Sequence, residues 1–357
     1  MVPIRPFSVL RPSAARVRGF SSPRLGHGDP EEGTPTDGEI SGLTRSIKEG
    51  AVVLNRLVAE RSLMEDPEPT MLLHRHVREH LRVAGAVACV SADACETRLS
   101  PLCEPCPALS AMHASVVERI GAQVESMVIG FEHSEAVNEL FEREMNDRPL
   151  FHVVADDGAT HTLWRGRRTQ EMVDAFAAVE NAWVLEGGEL LQPGGEALAW
   201  LVPLEHLRPR WATRVVDTHA EPLLQAVLDR HGERMDASCE LDADAAEIRA
   251  GVLGDRWRVP LPPSVGDTGP VEATLDARLD AWWREAVGLD PSTSTQRLMG
   301  AASKASVRGR WSIRLPDPGM DRLRAILRAG LRLPARSVWV EPAIRSGLWM
   351  HRTTIKG

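Results

Sequence analysis

Short apolar runs and stretches with helical spacing alternate along almost the whole sequence, and that interleaving constrains the fold more than any other feature. Met71–His76 and Gly85–Ser91 read as strands around the polar turn Val77–Arg82. Leu109–Ala122 has a helical pattern, Ser126–Phe131 is a short apolar strand, and Ser134–Met145 is a second helix. The clearest hairpin follows, with strands at Leu150–Ala155 and His161–Trp164. Its turn is Asp156-Asp157-Gly158-Ala159, where Gly158 is free to take positive φ. Then come a helix at Gln170–Ala178, a buried strand at Ala182–Leu185, a Gly-rich turn and a strand at Ala197–Leu204. The pattern continues with a helix at Pro222–Arg230, a hairpin segment in Val252–Val259 and an amphipathic helix at Leu275–Val287. A strand at Trp311–Leu315, a helix at Met320–Ala329 and a strand at Val338–Val340 end it. The class is therefore α/β: a mixed-sheet α/β fold of two lobes.

The 357 residues read as one family-sized domain, 1–357, with lobes at 1–147 and 148–357 and a flexible loop at 26–42 rich in Gly, Pro and acids. The first twenty-eight residues carry Arg5, Arg11, Arg16, Arg18 and Arg24 without an acid, as a mitochondrial leader does. Pro3, Pro6 and Pro12 argue against the helix a leader needs, so Ile4-Arg5-Pro6-Phe7 is read instead as the opening strand of the fold.

Charge and composition exclude several functions. Fifty acidic and forty-two basic residues give a net charge of -8, and no basic–aromatic face breaks that balance, which argues against nucleic acid as the main partner. The longest apolar runs, Val83–Val90 and Ala197–Leu204, are too short for a membrane-spanning helix. There are ten Trp and six Phe but no Tyr, so any chemistry that needs this chain's own phenol is ruled out. The cysteines are Cys89, Cys95, Cys103, Cys106 and Cys239. An odd count without a secretory signal implies reduced thiols and a cytoplasmic location.

The C-terminal run Leu333-Pro334-Ala335-Arg336-Ser337-Val338-Trp339-Val340-Glu341-Pro342-Ala343-Ile344-Arg345-Ser346-Gly347-Leu348 resembles the end of the prokaryotic family catalogued as domain of unknown function 1015. Other segments match family landmarks in order: Ile4–Phe7 with Leu10–Pro12, Gly85–Asp93, Asp157-Gly158 with His161–Trp164, Thr213–Val216, and Leu275-Asp276 with Gly288–Pro291. The family's signature is a strand ending in Ala-Asp-Gly-His-His-Arg, similar to that of ParB/sulfiredoxin-like nucleotide-using folds. The resemblance implies ATP-dependent phosphorylation of a small hydroxy amino acid such as free serine. In that chemistry an acid accepts the hydroxyl proton, Gly lets the backbone approach phosphate, and Arg with His neutralises phosphoryl charge.

At the matching position this chain reads Val184-Leu185-Glu186-Gly187-Gly188-Glu189-Leu190. The acid survives as Glu186 and the glycine as Gly187, while the His-His-Arg donors have become Gly188, Glu189 and Leu190. Upstream, the family's His-Glu pair is Cys103-Glu104, and its C-terminal Pro-Lys is Pro342-Ala343. Without an intervening metal, an anionic Glu189 repels a triphosphate rather than holding it. The resemblance therefore implies a divergent, catalytically impaired member that binds a small ligand or a protein partner. Two rival readings stand beside it. One is an ATP- and magnesium-dependent serine kinase with a rebuilt site, with Glu186 as base, Glu104 or Glu189 holding the metal, and Gly187 and Arg214 contacting phosphate. The other is a structural or assembly subunit.

Four further groupings have plainer explanations. Cys89, Cys95, Cys103 and Cys106, with the Cys103-Glu104-Pro105-Cys106 knuckle, are a possible zinc set, but small buried thiols are the simpler reading, and no metal ligand is assigned. His74, His76 and His80 read as surface histidines, although His74 and His76 share a strand face. Gly187-Gly188 and Gly194-Gly195 lack a following Lys-Ser/Thr and read as turns. Asp242–Asp244 with Glu247 reads as a solvated helix start, and Trp282, Trp283, Trp339 and Trp349 mainly as packing residues.

Overall fold

A computed structural model describes residues 2–14, 52 and 54–210 (apart from 94, 96–98, 104, 106, 156, 157 and 193). Beyond these it describes 211, 214–215, 225, 228–229, 232–235, 245–250, 256–260, 297–298, 311–314, 319–330, 332–333, 338–342 and 348–353. The 26–42 loop, the helix expected at Leu275–Val287 and most of that at Pro222–Arg230 lie outside the described residues.

The chain divides into two compact units. One comprises Met1–Gly26, Thr36–Arg208 and Val340–Gly357, and the other His27–Pro35 and Pro209–Trp339. This partition differs from a cut at residue 147, because the C-terminal residues rejoin the N-terminal ones in the first unit.

In the first unit, β1 (Ile4–Arg5), β2 (Val9–Pro12), β3 (Leu63–Glu65), β4 (Met71–Arg78), β5 (Leu81–Ser91) and β6 (Ser100–Pro101) precede α1 (Pro107–Ile120). Next are β7 (Ala122–Gln123), β8 (Met127–Phe131), α2 (Glu135–Met145), β9 (Phe151–Val154), β10 (Thr160–Gly166) and α3 (Thr169–Ala177). β11 (Ala182–Glu186), a single 3-10 turn at Gly188–Leu190 and β12 (Glu196–Pro203) complete that run. The main sheet is mixed, in the order β6-β11-β8-β12-β5-β4-β10-β9, with β1 paired to the end of β5. The α/β class and the mixed sheet are thus both present.

The two longest apolar runs became the two central neighbours. β12 pairs with β5 on one side and with β8 on the other, and Ala197–Val202 and Ala86–Val90 are fully or nearly buried. Continuous apolar sequence is what a strand covered on both faces requires. The turn between β4 and β5 is tighter than the Val77–Arg82 segment expected from polarity, since Arg78 already pairs with Leu81. Only Glu79 and His80 lie between, and Glu79 takes φ 53. In the next hairpin Gly158 has φ 81, as its turn demands.

Gly85 allows the centre of this sheet to close. A Cβ there would meet Leu201 O at 2.5 Å and Trp200 Nε1 at 2.6 Å. Beneath the sheet, Val137, Leu140 and Phe141 of α2 pack with Met172 and Phe176 of α3 against Phe131, Ile129 and Trp164. Glu144 of α2 is wholly buried and accepts from Arg167 N and Arg168 N at 2.9 Å each, and from Arg168 Nη1 at 3.0 Å. One carboxylate therefore satisfies the exposed amides at the start of α3 and adds favourable charge at its N-terminus.

A second sheet of the same unit joins the chain ends, in the order β3-β2-β21-β7, with β21 at Met350–Arg352. Leu10 faces Met350, and His351 faces Gln123. Asp66 ties this layer to the main sheet: its Oδ1 accepts from Arg11 Nη2 at 3.0 Å and lies 2.8 Å from Arg165 Nη2.

β13 (Arg208–Trp211) leads out of the first unit. The second unit contains β14 (Arg214–Val215), β15 (Glu233–Met235), β16 (Ala245–Ala250), β17 (Arg256–Pro260), β18 (Arg297–Leu298), β19 (Trp311–Arg314) and α4 (Met320–Arg328). Its sheet runs β15-β17-β16-β19-β14-β18. Here the expected helix start at Glu247 is overturned. Glu247 lies within β16, opposite Arg258 and Arg314, because strand pairing on both sides outweighs a local acidic signal. β20 (Val338–Glu341) returns the chain to the first unit.

Candidate functional site

The Val184–Leu190 segment spans the end of β11 and the 3-10 turn after it. Val184 faces Ile129 of β8, but the next paired residue is Glu186, opposite Val128, so the register slips at Leu185. The bulge re-aims the residues that follow. Leu185 packs so closely on Gly130 that a Cβ there would lie 2.6 Å from its Cδ1. Gly187 then takes φ 74, and a Cβ on it would meet Met127 Cα at 3.0 Å. Gly187 is needed for backbone geometry whatever its relation to a ligand.

The carboxylate of Glu186 has a specific partner: its Oε1 accepts a hydrogen bond from the backbone N–H of Val340 in β20. Glu186 is thus engaged with the C-terminal strand β20, 154 residues away in sequence. The 3-10 turn after it is closed by Leu190 N donating to Gly187 O at 2.9 Å, and Leu190 is buried. Glu189 is half-buried, and its carbonyl accepts from Gln192 Nε2, which also reaches Ser110 O at 3.1 Å.

Strand pairing also brings the upstream candidate region here. β6 runs parallel to β11, with Pro101 beside Val184, and Leu102 N donates to Val184 O at 2.8 Å. Cys103 follows, half-buried, while Glu104 and Cys106 lie outside the described residues. Arg214 belongs to β14 of the second unit, where its backbone pairs with Leu298 and Ile313. The residues described in this turn do not fit a triphosphate. One carboxylate holds a backbone amide, Glu189 adds negative charge, and Leu190 is buried hydrocarbon.

The histidines depart from expectation. His74 and His76 are 3% and 5% exposed, so the surface reading is overturned, and His161, at 1%, joins them. His161 of β10 pairs with His76, and residues 74 and 76 share a face by strand periodicity. His74 Nε2 and His161 Nδ1 are 3.0 Å apart with the rings stacked, and Trp200 and Trp349 lie against His74. Burial, followed by the neighbouring His161 and His76, holds the His74 pKa well below its ordinary value. His80 is exposed at the hairpin tip. The only signal in the sequence was the His74/His76 spacing, because the contribution of His161 depends on the β4–β10 register.

Of the cysteines, Cys89 and Cys95 are buried, and burial pushes each thiol up to about 12. No helix among the described residues is long and apolar enough to cross a membrane.

The model of the family described as "Protein of unknown function (DUF1015)" matches residues 25–184. No curated protein matches the chain. Among solved structures, a free serine kinase in complex with AMP is similar at 9% identity, over 76% of this chain and 92% of that one, with TM-score 0.36. A conserved hypothetical protein from Pyrococcus furiosus gives 9% identity, 73% and 93% coverage and TM-score 0.35. SbnI with a C-terminal truncation, from Staphylococcus aureus, gives 9%, 73%, 85% and 0.33. Likenesses this remote decide nothing about chemistry. The family match thus spans residues 25–184, just under half of this chain.

Proposed function

We propose that this protein is a catalytically impaired relative of its family that binds a small ligand in the first unit without transferring phosphate. The observation that carries the reading is the hydrogen bond from Val340 N–H to Glu186 Oε1. A general base needs a lone pair free to reach the substrate hydroxyl. Here Oε1 of the carboxylate is committed to the backbone, and the neighbouring positions Gly188, Glu189 and Leu190 offer no cationic side chain. Protein partners are compatible with this role. The acidic composition and the odd cysteine count support a cytoplasmic location and no role for nucleic acid.

The test is an assay of purified full-length chain with ATP, magnesium and free serine. No phosphoserine above background is expected. Formation at a metabolic rate, on the order of one per second, overturns the reading in favour of a rebuilt kinase using Glu186. A thermal-shift screen of nucleotides and amino acids should identify a stabilising ligand, since saturation a hundredfold above Kd adds about 2.7 kcal/mol to stability. A screen without any shift, together with a stable hetero-oligomer on sizing, would favour the assembly-subunit alternative.

A further inference from the structure

Away from the Glu186 turn, three metal-ligating side chains from three strands converge at the junction of the two sheets of the first unit. Cys89 of β5, Glu196 at the start of β12 and His351 of β21 place one donor atom each within 4.8 Å of one another. We propose that they form a divalent-metal site of the zinc class, with three protein ligands and a fourth position open to water or ligand.

The backbone explains why they meet. Cys89 faces Leu198 of β12, and Glu196, two residues earlier, lies on the same face. β1 completes that face by pairing Arg5 with Cys89. The second sheet is anchored over it, since Leu198 N donates to Gln123 Oε1 at 3.0 Å and Gln123 is the cross-strand neighbour of His351. The three donors are thus held by paired strands rather than by loops.

The two oxygens of Glu196 are divided. Oε1 pairs with the Arg5 guanidinium, and Oε2 faces His351 Nε2 at 4.0 Å. Donors around tetrahedral zinc lie about 3.5 Å apart, so a metal requires this triangle, now within 4.8 Å, to contract by up to about 1.3 Å. Arg5 then acts as an orienting partner on the outer oxygen. Thiolate, imidazole and carboxylate together suit zinc rather than magnesium or calcium. Binding exchanges the Cys89 thiol proton for the metal–sulfur bond, and that proton leaves to solvent.

The experiment uses the full chain stripped with chelator and then titrated with cobalt(II) and with zinc. Cobalt should produce an intense thiolate-to-cobalt charge-transfer absorption at one equivalent, zinc should abolish it by competition, and zinc should raise Tm. Cys89→Ser should eliminate the absorption. Glu196→Gln and His351→Gln, at more accessible positions, should each weaken affinity at least tenfold. If Cys89→Ser fails to fold, those two variants decide. No charge-transfer band in the wild-type chain, or unchanged affinity in the Glu196 and His351 variants, overturns the proposal. Serine phosphorylation does not enter these readouts, so the outcome is independent of the reading of Glu186.

Discussion

Replacing Glu186 separates a structural acid from a catalytic one. Its carboxylate accepts the N–H of Val340, whose side chain is fully buried. A hydrogen bond to a charged acceptor contributes roughly 1.5–3 kcal/mol, and the partial exposure of Glu186 lowers that to about 1–2 kcal/mol. Glu186→Ala leaves the amide without its acceptor and should cost that amount. Glu186→Gln keeps an amide oxygen at the same place and should cost under about 1 kcal/mol. Urea unfolding followed by Trp fluorescence provides the measurement. With m of about 3 kcal/mol/M, the Ala variant's midpoint should fall by about 0.3–0.7 M and the Gln variant's by less. Two results would refute the reasoning: an Ala variant as stable as wild type, or a Gln variant of native stability that has lost a measurable serine kinase activity. The latter would return Glu186 to the role of base.

Three more outcomes follow from buried features. Glu144→Ala removes three accepted hydrogen bonds at the start of α3 and leaves Arg168 without its buried partner, so a loss of about 3–5 kcal/mol is expected in denaturant titration, with Glu144→Gln intermediate. Gly85→Ala drives a methyl against Leu201 O and Trp200 Nε1 and should cost roughly 1–3 kcal/mol or more, visible as a lowered Tm with quenched or shifted Trp emission. The depressed His74 pKa makes the unfolded chain bind more protons than the folded one below the ordinary histidine value. Its contribution is therefore complete above about pH 6.5 and is lost as pH falls below it, at up to about 1.4 kcal/mol per pH unit for one proton. His74→Gln should flatten the stability–pH curve between pH 6.5 and 5, and an unchanged slope would contradict the assignment.

Local pattern sufficed for the elements because their signals are local. Alternation, a positive-φ glycine and helical spacing placed β8, α2, the β9–β10 hairpin, α3 and β11 within a residue or two of where they lie. The lack of cationic side chains at Gly188, Glu189 and Leu190 was equally readable, since it is a matter of residue identity. Where a side chain points is different, because it depends on which strand lies next to which. His74 and His76 are polar in sequence yet buried, because β10 delivers His161, and Trp200 and Trp349 close over His74. Glu247 looked like a helix start until strands on both sides claimed it.

By itself, then, the sequence determined the α/β class, the order of the elements, the absence of phenol chemistry and the anionic character of the signature turn. Tertiary structure alone decided that Glu186 would accept from Val340, 154 residues away, and that Cys89, Glu196 and His351 would bring their donor atoms within 4.8 Å of one another. The physical reason is that element formation is governed by interactions within a few residues. A site is instead assembled by strand register and sheet packing between residues far apart in the chain, which no short-range pattern encodes.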